Sequence, residues 1–355
     1  MQSETKPRQR WKVILNWVTL AALILLIILI RHDLVNTVRN LTHVHGWFLL
    51  LLIPIEALNY HAQTRLYQRL FKIVGNDISY KFLYRASVEL NFVNHVFPSG
   101  GVTGISYFGV RLKGGEVTGG KATLMQVMKL ALTFLSFEVL IVIGLICLAA
   151  LGRANNLIIL VATTLSTLLL VGTLGFAYIV GSRHRIDAFF TTATRVVNRL
   201  IKIVRPSHPE TISIERARSL FEDFHDNYKQ LQNSRKQLTA PFWYAFLANL
   251  TEVLALYAVY MAFGKFVNFG AIIIAYGVAN FAGLISVLPG GIGIYEGLMT
   301  AVLATTGISP SVSLPITIMY RVVNTSIQIP PGYILYQRAL SRGEKIPIRN
   351  DTHAS

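Results

Sequence analysis

Runs of apolar side chains as long as a bilayer is thick recur along this chain. Residues 13–30, 122–151 and 157–180 each hold 18 or more mostly apolar residues, the length at which a helix spans the hydrocarbon core. Over the whole sequence 53% of residues are hydrophobic and 14% charged, where a soluble domain carries about 25% charged residues. The expected fold is therefore an all-α polytopic membrane protein. Cys147 is the single cysteine and lies in an apolar run, so no intramolecular disulfide can form and a cysteine-based metal site is not expected.

Two stretches interrupt the apolar pattern. One is SVLPGGIGIYEG at 286–297, the other NHVFPSGGVTG at 94–104. Each reads Pro, then Gly-Gly, then a further Gly: Pro98, Gly100 and Gly101 in the first half, Pro289, Gly290, Gly291 and Gly293 in the second. Proline cannot donate to a helical ladder and clashes with the preceding turn. The glycines allow positive φ and a sharp reversal. The chain is expected to break at both places into half-helices, 270–288 and 293–306 around the second. Corresponding Gly/Pro interruptions in two halves of a membrane protein point to a transporter-type inverted repeat. Read alone, each Gly-Gly turn could equally be a tight helix contact or a simple loop.

Six full spans and two broken hairpins account for the chain. Residues 1–12 form a basic leader to a retained first span at 13–30. Span 2 covers 47–65, where Pro54 should kink it; Glu56, Asn59, Tyr60 and Gln63 make a polar stripe on one face. The first hairpin is 82–112, with Ser87, Asn91, Asn94 and His95 on one face of its first limb and Glu89 nearby. Span 3 (122–151) carries Lys129 and Glu138 on opposite faces, and span 4 (157–180) completes a first half over 13–180. Residues 181–240 read as a basic insertion of two helices. The first, 183–204, has the pattern of an interfacial helix on anionic lipid; such a face could instead dock a partner. The second has an apolar seam through Phe221, Phe224, Tyr228 and Leu231. The second half, 241–337, holds span 5 with Asn249 and Glu252, the hairpin 270–306, and span 6. In span 6, Thr317, Arg321, Asn324, Thr325 and Gln328 form a stripe, and Pro330-Pro331-Gly332 should disturb its end. Residues 338–355 are a polar tail.

The net charge of +16 follows this topology and is not a nucleic-acid signature. With hairpins that return to the side they left, 27 of the 33 Lys and Arg fall on one side, 4 on the other and 2 (Lys129 and Arg321) within spans. By the positive-inside rule the first side is the cytoplasm, with both termini in it. Hairpin 1 then enters from the cytoplasm and hairpin 2 from outside. If the hairpins cross completely, the count rises to as many as ten while the loops keep their sides. Lys129 follows Pro98 by 31 residues and Arg321 follows Pro289 by 32, a shared landmark of the two halves.

Glu56, Glu89, Lys129, Glu138, Glu252, Glu296 and Arg321 all fall at membrane depth. Each would cost roughly 3 kcal/mol facing lipid at the bilayer centre. Together that is on the order of 20 kcal/mol, more than a domain's net stability. Most must face one another or a hydrated interior, as must the broken backbone at the hairpin turns. A polar central cavity between the hairpins is expected, with the exposed N-terminal amides of the second limbs suited to an anion such as a lipid phosphate. Lys129 and Arg321 would add charge there, and the glutamates would meet an amine or carry protons. Glu56 with Asn59 and Gln63 could also be interhelical glue, and Glu138 and Glu252 structural pairs.

At NHVFPSGGVTG and SVLPGGIGIYEG, with Arg321 and Pro330-Pro331-Gly332 behind them, the chain resembles the lysylphosphatidylglycerol synthase transmembrane-region family over roughly 13–340. PGGIG-x-x-E is the most specific part. The resemblance implies a flippase-like fold and lipid movement across the cytoplasmic membrane, with Glu296 and Arg321 in the family's Glu and Arg positions. Where many members carry an acidic–basic pair after hairpin 1, this chain has Met128-Lys129. The resemblance does not imply lysine transfer, for which a large soluble catalytic domain is needed and no stretch is long enough.

The expected function is a plasma-membrane lipid translocase, not an enzyme and without cofactor or metal. Its substrate-binding set comprises Glu56, Glu89, Asn94, Pro98, Gly100, Gly101, Lys129, Pro289, Gly290, Gly291, Gly293, Glu296, Arg321 and Asn324. The expected partners are anionic or aminoacylated phospholipids, with a second copy or a lipid-modifying enzyme also open. Two other readings stand beside it: an ion- or proton-coupled carrier of a small solute, favoured by a cavity sealed from lipid, and a non-transporting membrane partner of a lipid- or glycan-modifying enzyme.

Overall fold

A computed structural model describes residues 44–97, 102–112, 117–152, 154–182, 226–285 and 291–342, with isolated positions elsewhere. The expected first span at 13–30, most of the basic insertion and the tail beyond 342 lie outside the described residues. The long elements are helical throughout: α1 (Gly46–Leu50), α2 (Leu52–Ile73), α3 (Tyr80–Val96), α4 (Val102–Leu112), α5 (Gly119–Ala150), α6 (Asn156–Val180), α7 (Thr239–Ala262), α8 (Phe269–Ile285), α9 (Ile294–Thr305) and α10 (Pro310–Arg342). Among the described residues, the helices around 119–150, 156–180 and 236–262 are long and apolar enough to cross a membrane.

Local sequence explains most boundaries. Pro54 takes the hydrogen bond away from Leu50, and the helix breaks there into α1 and α2 at Leu51. Ser79 caps α3 by accepting from the Phe82 amide at 3.4 Å, and Asn155 caps α6 by accepting from the Ile158 amide at 2.8 Å. Gly291 (φ +66°) and Gly293 (φ +86°) occupy the left-handed region immediately before α9. One expectation is corrected. Pro330-Pro331-Gly332 does not end span 6, and α10 runs on to Arg342. Proline's fixed φ is helical, and Gly332 offers a flat face: a Cβ there would sit 2.5 Å from Phe92 Cβ on α3.

The packing is that of a repeat. α2 and α7, the helices that precede the two hairpins, pack along each other at the centre. Limb α3 of the first hairpin then packs on α10, and limb α8 of the second packs on α5. α4 meets α5 as α9 meets α10. Each hairpin thus leans on the helix that follows the hairpin of the other half, an arrangement that a two-fold exchange of halves reproduces. Asn59 on α2 and Thr251 on α7 meet at this centre, Nδ2 donating to Oγ1 at 2.9 Å. They are 192 positions apart, the separation of Lys129 and Arg321.

Burial follows position. In α7 56% of the most apolar window is buried, against 33% in α5 and 22% in α6, so α7 is the inner helix and α6 an outer one. Phe224 and Leu231 of the insertion are buried with Leu66, Tyr67, Phe108 and Leu112, as the apolar seam requires. Hairpin 1 rests there on its base, and hairpin 2 on a larger apolar cluster from α5, α7, α9 and α10.

Candidate functional site

The polar stripe of α2 faces the interior and uses every member. Gln328 on α10 donates to Glu56 Oε2 at 2.9 Å. Asn91 on α3 donates to Gln328 Oε1 at 2.9 Å and to the Tyr60 hydroxyl at 2.6 Å. Lys129 on α5 donates to Gln63 Oε1 at 2.7 Å, and Gln63 donates to Asn59 at 2.5 Å. The Lys129 ammonium also lies 5.2 Å from the centroid of the Tyr67 ring. Glu252 on α7, read from sequence as a group without a stripe, stands in the middle. It accepts from the Tyr320 hydroxyl at 2.9 Å and interacts electrostatically with Lys129 and Glu56.

Glu296 and Arg321 form an ion pair across α9 and α10. The second oxygen of Glu296 accepts from the Gly293 amide at 2.7 Å. The start of α9 was expected to present free amides to an anion; at Gly293 the chain's own carboxylate takes that place. Arg321 stacks its guanidinium 5.1 Å over Tyr295.

Beside this pair lies a cavity of about 190 Å³. Asn91 and His95 come from α3, Glu252 from α7, Tyr276 and Asn280 from α8, Tyr295 from α9, and Tyr320, Arg321, Asn324, Thr325 and Gln328 from α10. Several polar atoms in its wall are buried without a hydrogen-bond partner: Asn280 Nδ2, the Tyr295 hydroxyl and Asn324 Oδ1. Glu56 Oε1 is in the same condition, while its Oε2 accepts from Gln328. Buried polar groups are normally satisfied, so these atoms mark a place able to give and accept hydrogen bonds with something else.

The expected site is thus assembled in part. Glu56, Lys129, Glu296, Arg321 and Asn324 join the network or the cavity wall, and Gly291 and Gly293 shape the start of α9. Pro98, Gly100, Gly101, Pro289 and Gly290 lie outside the described residues. Glu89 does not line the cavity. Arg111 on α4 donates to it at 2.7 and 3.3 Å and Tyr107 at 2.8 Å, with both charged side chains almost fully buried. Arg111, one of the 27 cations that the charge count places on the cytoplasmic side, is buried against this carboxylate. Asn94 is exposed near the turn of hairpin 1, where its Oδ1 is 2.0 Å from a Cβ built at Gly104. It serves the close approach of the limbs. Glu138 is bonded by Ser166 across α5 and α6. The residues that sequence reading missed are Tyr276, Asn280, Tyr295 and Tyr320. They carry no charge and sit in apolar runs; the i, i+4 spacing of Tyr276 and Asn280 was the available signal.

A helical bundle with two hairpins and a polar interior defines a multi-pass integral membrane protein. The chain belongs to the family described as the lysylphosphatidylglycerol synthase TM region, whose pattern matches residues 14–332. It is also similar to UPF0104 membrane proteins. One from Methanothermobacter thermautotrophicus is 28% identical over 109 residues, 31% of this chain and 32% of the relative. One from Pyrococcus horikoshii is 23% identical over 142 residues, 38% of this chain and 42% of the relative. The matched segments span less than half the length of these relatives.

Proposed function

We propose that this protein moves a phospholipid headgroup across the cytoplasmic membrane through the cavity between its hairpins. The observation that carries this reading is the set of unpartnered buried polar atoms around Arg321, in the interior of a helical bundle whose outer helices are strongly apolar. Family membership supports it. The cavity mixes roles: Asn280 Nδ2 and the Tyr295 hydroxyl can donate, while Asn324 Oδ1 can only accept. Such a wall suits a headgroup that both accepts and donates, such as a phosphate carrying a glycerol or an aminoacyl group. Arg321 exchanges Glu296 for the phosphate, and the released Glu296 meets an amine where the headgroup has one. Acyl chains remain in hydrocarbon.

The test is a translocation assay in proteoliposomes with fluorescent phosphatidylglycerol, phosphatidylethanolamine and lysyl-phosphatidylglycerol. Wild type is compared with Glu296→Gln and Arg321→Ala after matching their insertion and elution in detergent. Movement of at least one lipid, lost in both variants, is the expected result. Movement that survives both changes removes the site. No movement in the wild type, with the protein folded, removes the translocase reading.

A further inference from the structure

The polar cavity has an apolar neighbour. A crevice of about 180 Å³ opens between α5, α6 and α8, with Leu130, Phe134, Phe137, Leu169 and Phe281 in its walls. Tyr276 and Asn280 line both spaces. They stand one helical turn apart on one face of α8, so a single turn of helix separates polar from apolar. Gly277, between them, removes the side chain that would close the crevice; a Cβ there would lie 2.6 Å from the Phe137 ring. The polar group that reaches the crevice from α7 is already engaged, since Asn249 donates to the Thr133 carbonyl and the Ser136 hydroxyl at 3.0 and 2.7 Å. The crevice therefore offers apolar walls and, at its inner end, the unpartnered amide of Asn280. Its outer side opens between two helices whose most apolar 18-residue windows have mean hydropathies of 2.5 (α5) and 2.3 (α6), and Leu130 is 43% exposed.

We propose that this crevice seats an acyl chain of the same lipid whose headgroup enters the polar cavity, with the turn 276–280 of α8 as the sill between them. This rests on the translocase reading and adds to it a chain site and a lateral route. The continuity of the two spaces argues for the occupant. A lipid joins one polar and one apolar part through ester carbonyls, which only accept hydrogen bonds, and the group unpartnered at the sill is a donor. An annular lipid would need no polar group there. A helix from a second copy would not require the crevice to run on to the cavity.

The experiment uses the full-length protein in proteoliposomes containing phosphatidylglycerol with a diazirine in one acyl chain. After photolysis, adducts are mapped by mass spectrometry. Adducts are expected on the Leu130–Phe137 turns of α5 and on Phe281, and they should be lost in Leu130→Trp. Equal labelling of the exposed face of α6 at Leu160, Val171 and Leu174 overturns the proposal. So does an absence of crevice adducts, the result expected if a second copy's helix fills the space. In the translocation assay Leu130→Trp should slow lipid movement about tenfold or more, with Leu160→Trp, on the lipid-facing surface away from the crevice, matching wild type. Equal rates in the two tryptophan variants overturn the chain site and leave the translocase standing. A wild type that moves no lipid yet labels at the crevice does the reverse.

Discussion

Both hairpins bring a glutamate to an arginine, and the two pairs are built for different ends. In hairpin 1, Glu89 on α3 meets Arg111 on α4, so the pair ties together the two limbs of one hairpin. It is shut in: the side chains are 1% and 6% exposed, Tyr107 adds a hydrogen bond, and Phe82 lies under the guanidinium at 4.6 Å. In hairpin 2, Glu296 on α9 meets Arg321 on α10, so the pair ties the hairpin to the following helix. Here the side chains are 11% and 20% exposed and Arg321 lines the cavity. A closed pair of full charges has nowhere to exchange partners. A pair at a cavity wall can trade its partner for a ligand of like charge. On the proposed function, the Glu89–Arg111 pair would support the fold while the Glu296–Arg321 pair would bind, even though Asn91 and His95 of hairpin 1 also line the cavity.

The largest expected effect follows from the closed pair. Glu89→Gln removes the carboxylate charge that Arg111 meets in the interior, and breaking such a buried pair costs about 3–5 kcal/mol. Thermal unfolding in detergent should show a sharply lower midpoint and a poor yield. Replacing both charges, with Glu89→Leu and Arg111→Met, should recover most of the loss, because a buried pair exchanged for apolar side chains is often neutral. Lipid movement should recover with it. A stable double variant that moves no lipid would show that hairpin 1 takes part in transport directly.

Hairpin 2 should respond in the opposite way. Arg321→Ala removes a charge at a wetted wall, so the midpoint should fall less than for Glu89→Gln. Transport should instead fall by more than tenfold, corresponding to a charge-assisted hydrogen bond of roughly 1.5–3 kcal/mol. The double change Glu296→Gln with Arg321→Met should restore no movement, since the ligand contact itself is gone.

Glycines at the two crossings give a smaller, graded comparison. A Cβ at Gly332 meets Phe92 Cβ at 2.5 Å and the Val88 carbonyl at 3.1 Å, both fixed to the α3 backbone. At Gly277 it meets the edge of the Phe137 ring and a Leu165 methyl, at 2.6 and 2.9 Å, the mobile ends of side chains. Overpacking costs about 1–3 kcal/mol. Gly332→Ala should fall at the upper end of that range in thermal stability and Gly277→Ala at the lower.

What could be read from the sequence, and what could not, divides along the same line. Pro54 placed the break at Leu51, and the spacing of Glu56, Asn59, Tyr60 and Gln63 announced an inward stripe, because proline geometry and helical periodicity are local. The two hairpins were also legible, and the resemblance marked the positions Glu296 and Arg321 without showing that they pair. Glu89 was misjudged because its partner lies 22 residues on, across a turn, and Arg111 looked like one more loop cation. Tyr276 and Asn280 were missed because a wall residue needs no charge to be polar. The close approach of α10 to α3 at Gly332, beside Phe92, is a contact with the other half of the chain.

The smallest expected effect concerns the centre of the repeat. Asn59 Nδ2 donates to Thr251 Oγ1 and to the Ala248 carbonyl, both at 2.9 Å, and joins α2 to α7 where the halves exchange. Interhelical hydrogen bonds in membranes average about 0.6 kcal/mol in double-mutant cycles. A cycle of Asn59→Ala and Thr251→Val should give a coupling of about that size, measured by unfolding in detergent. Its value lies in what happens to transport. If one half rocks against the other around the α2–α7 contact, a bond on the axis survives in both end states. It then stabilises both equally, and a ligand or bond with no preference between two states shifts nothing. Lipid movement in the folded fraction should therefore match wild type across the whole cycle. A rate that tracks the coupling energy would mean that α2 and α7 part during transport, and would move the axis away from the helices that the packing places at the centre.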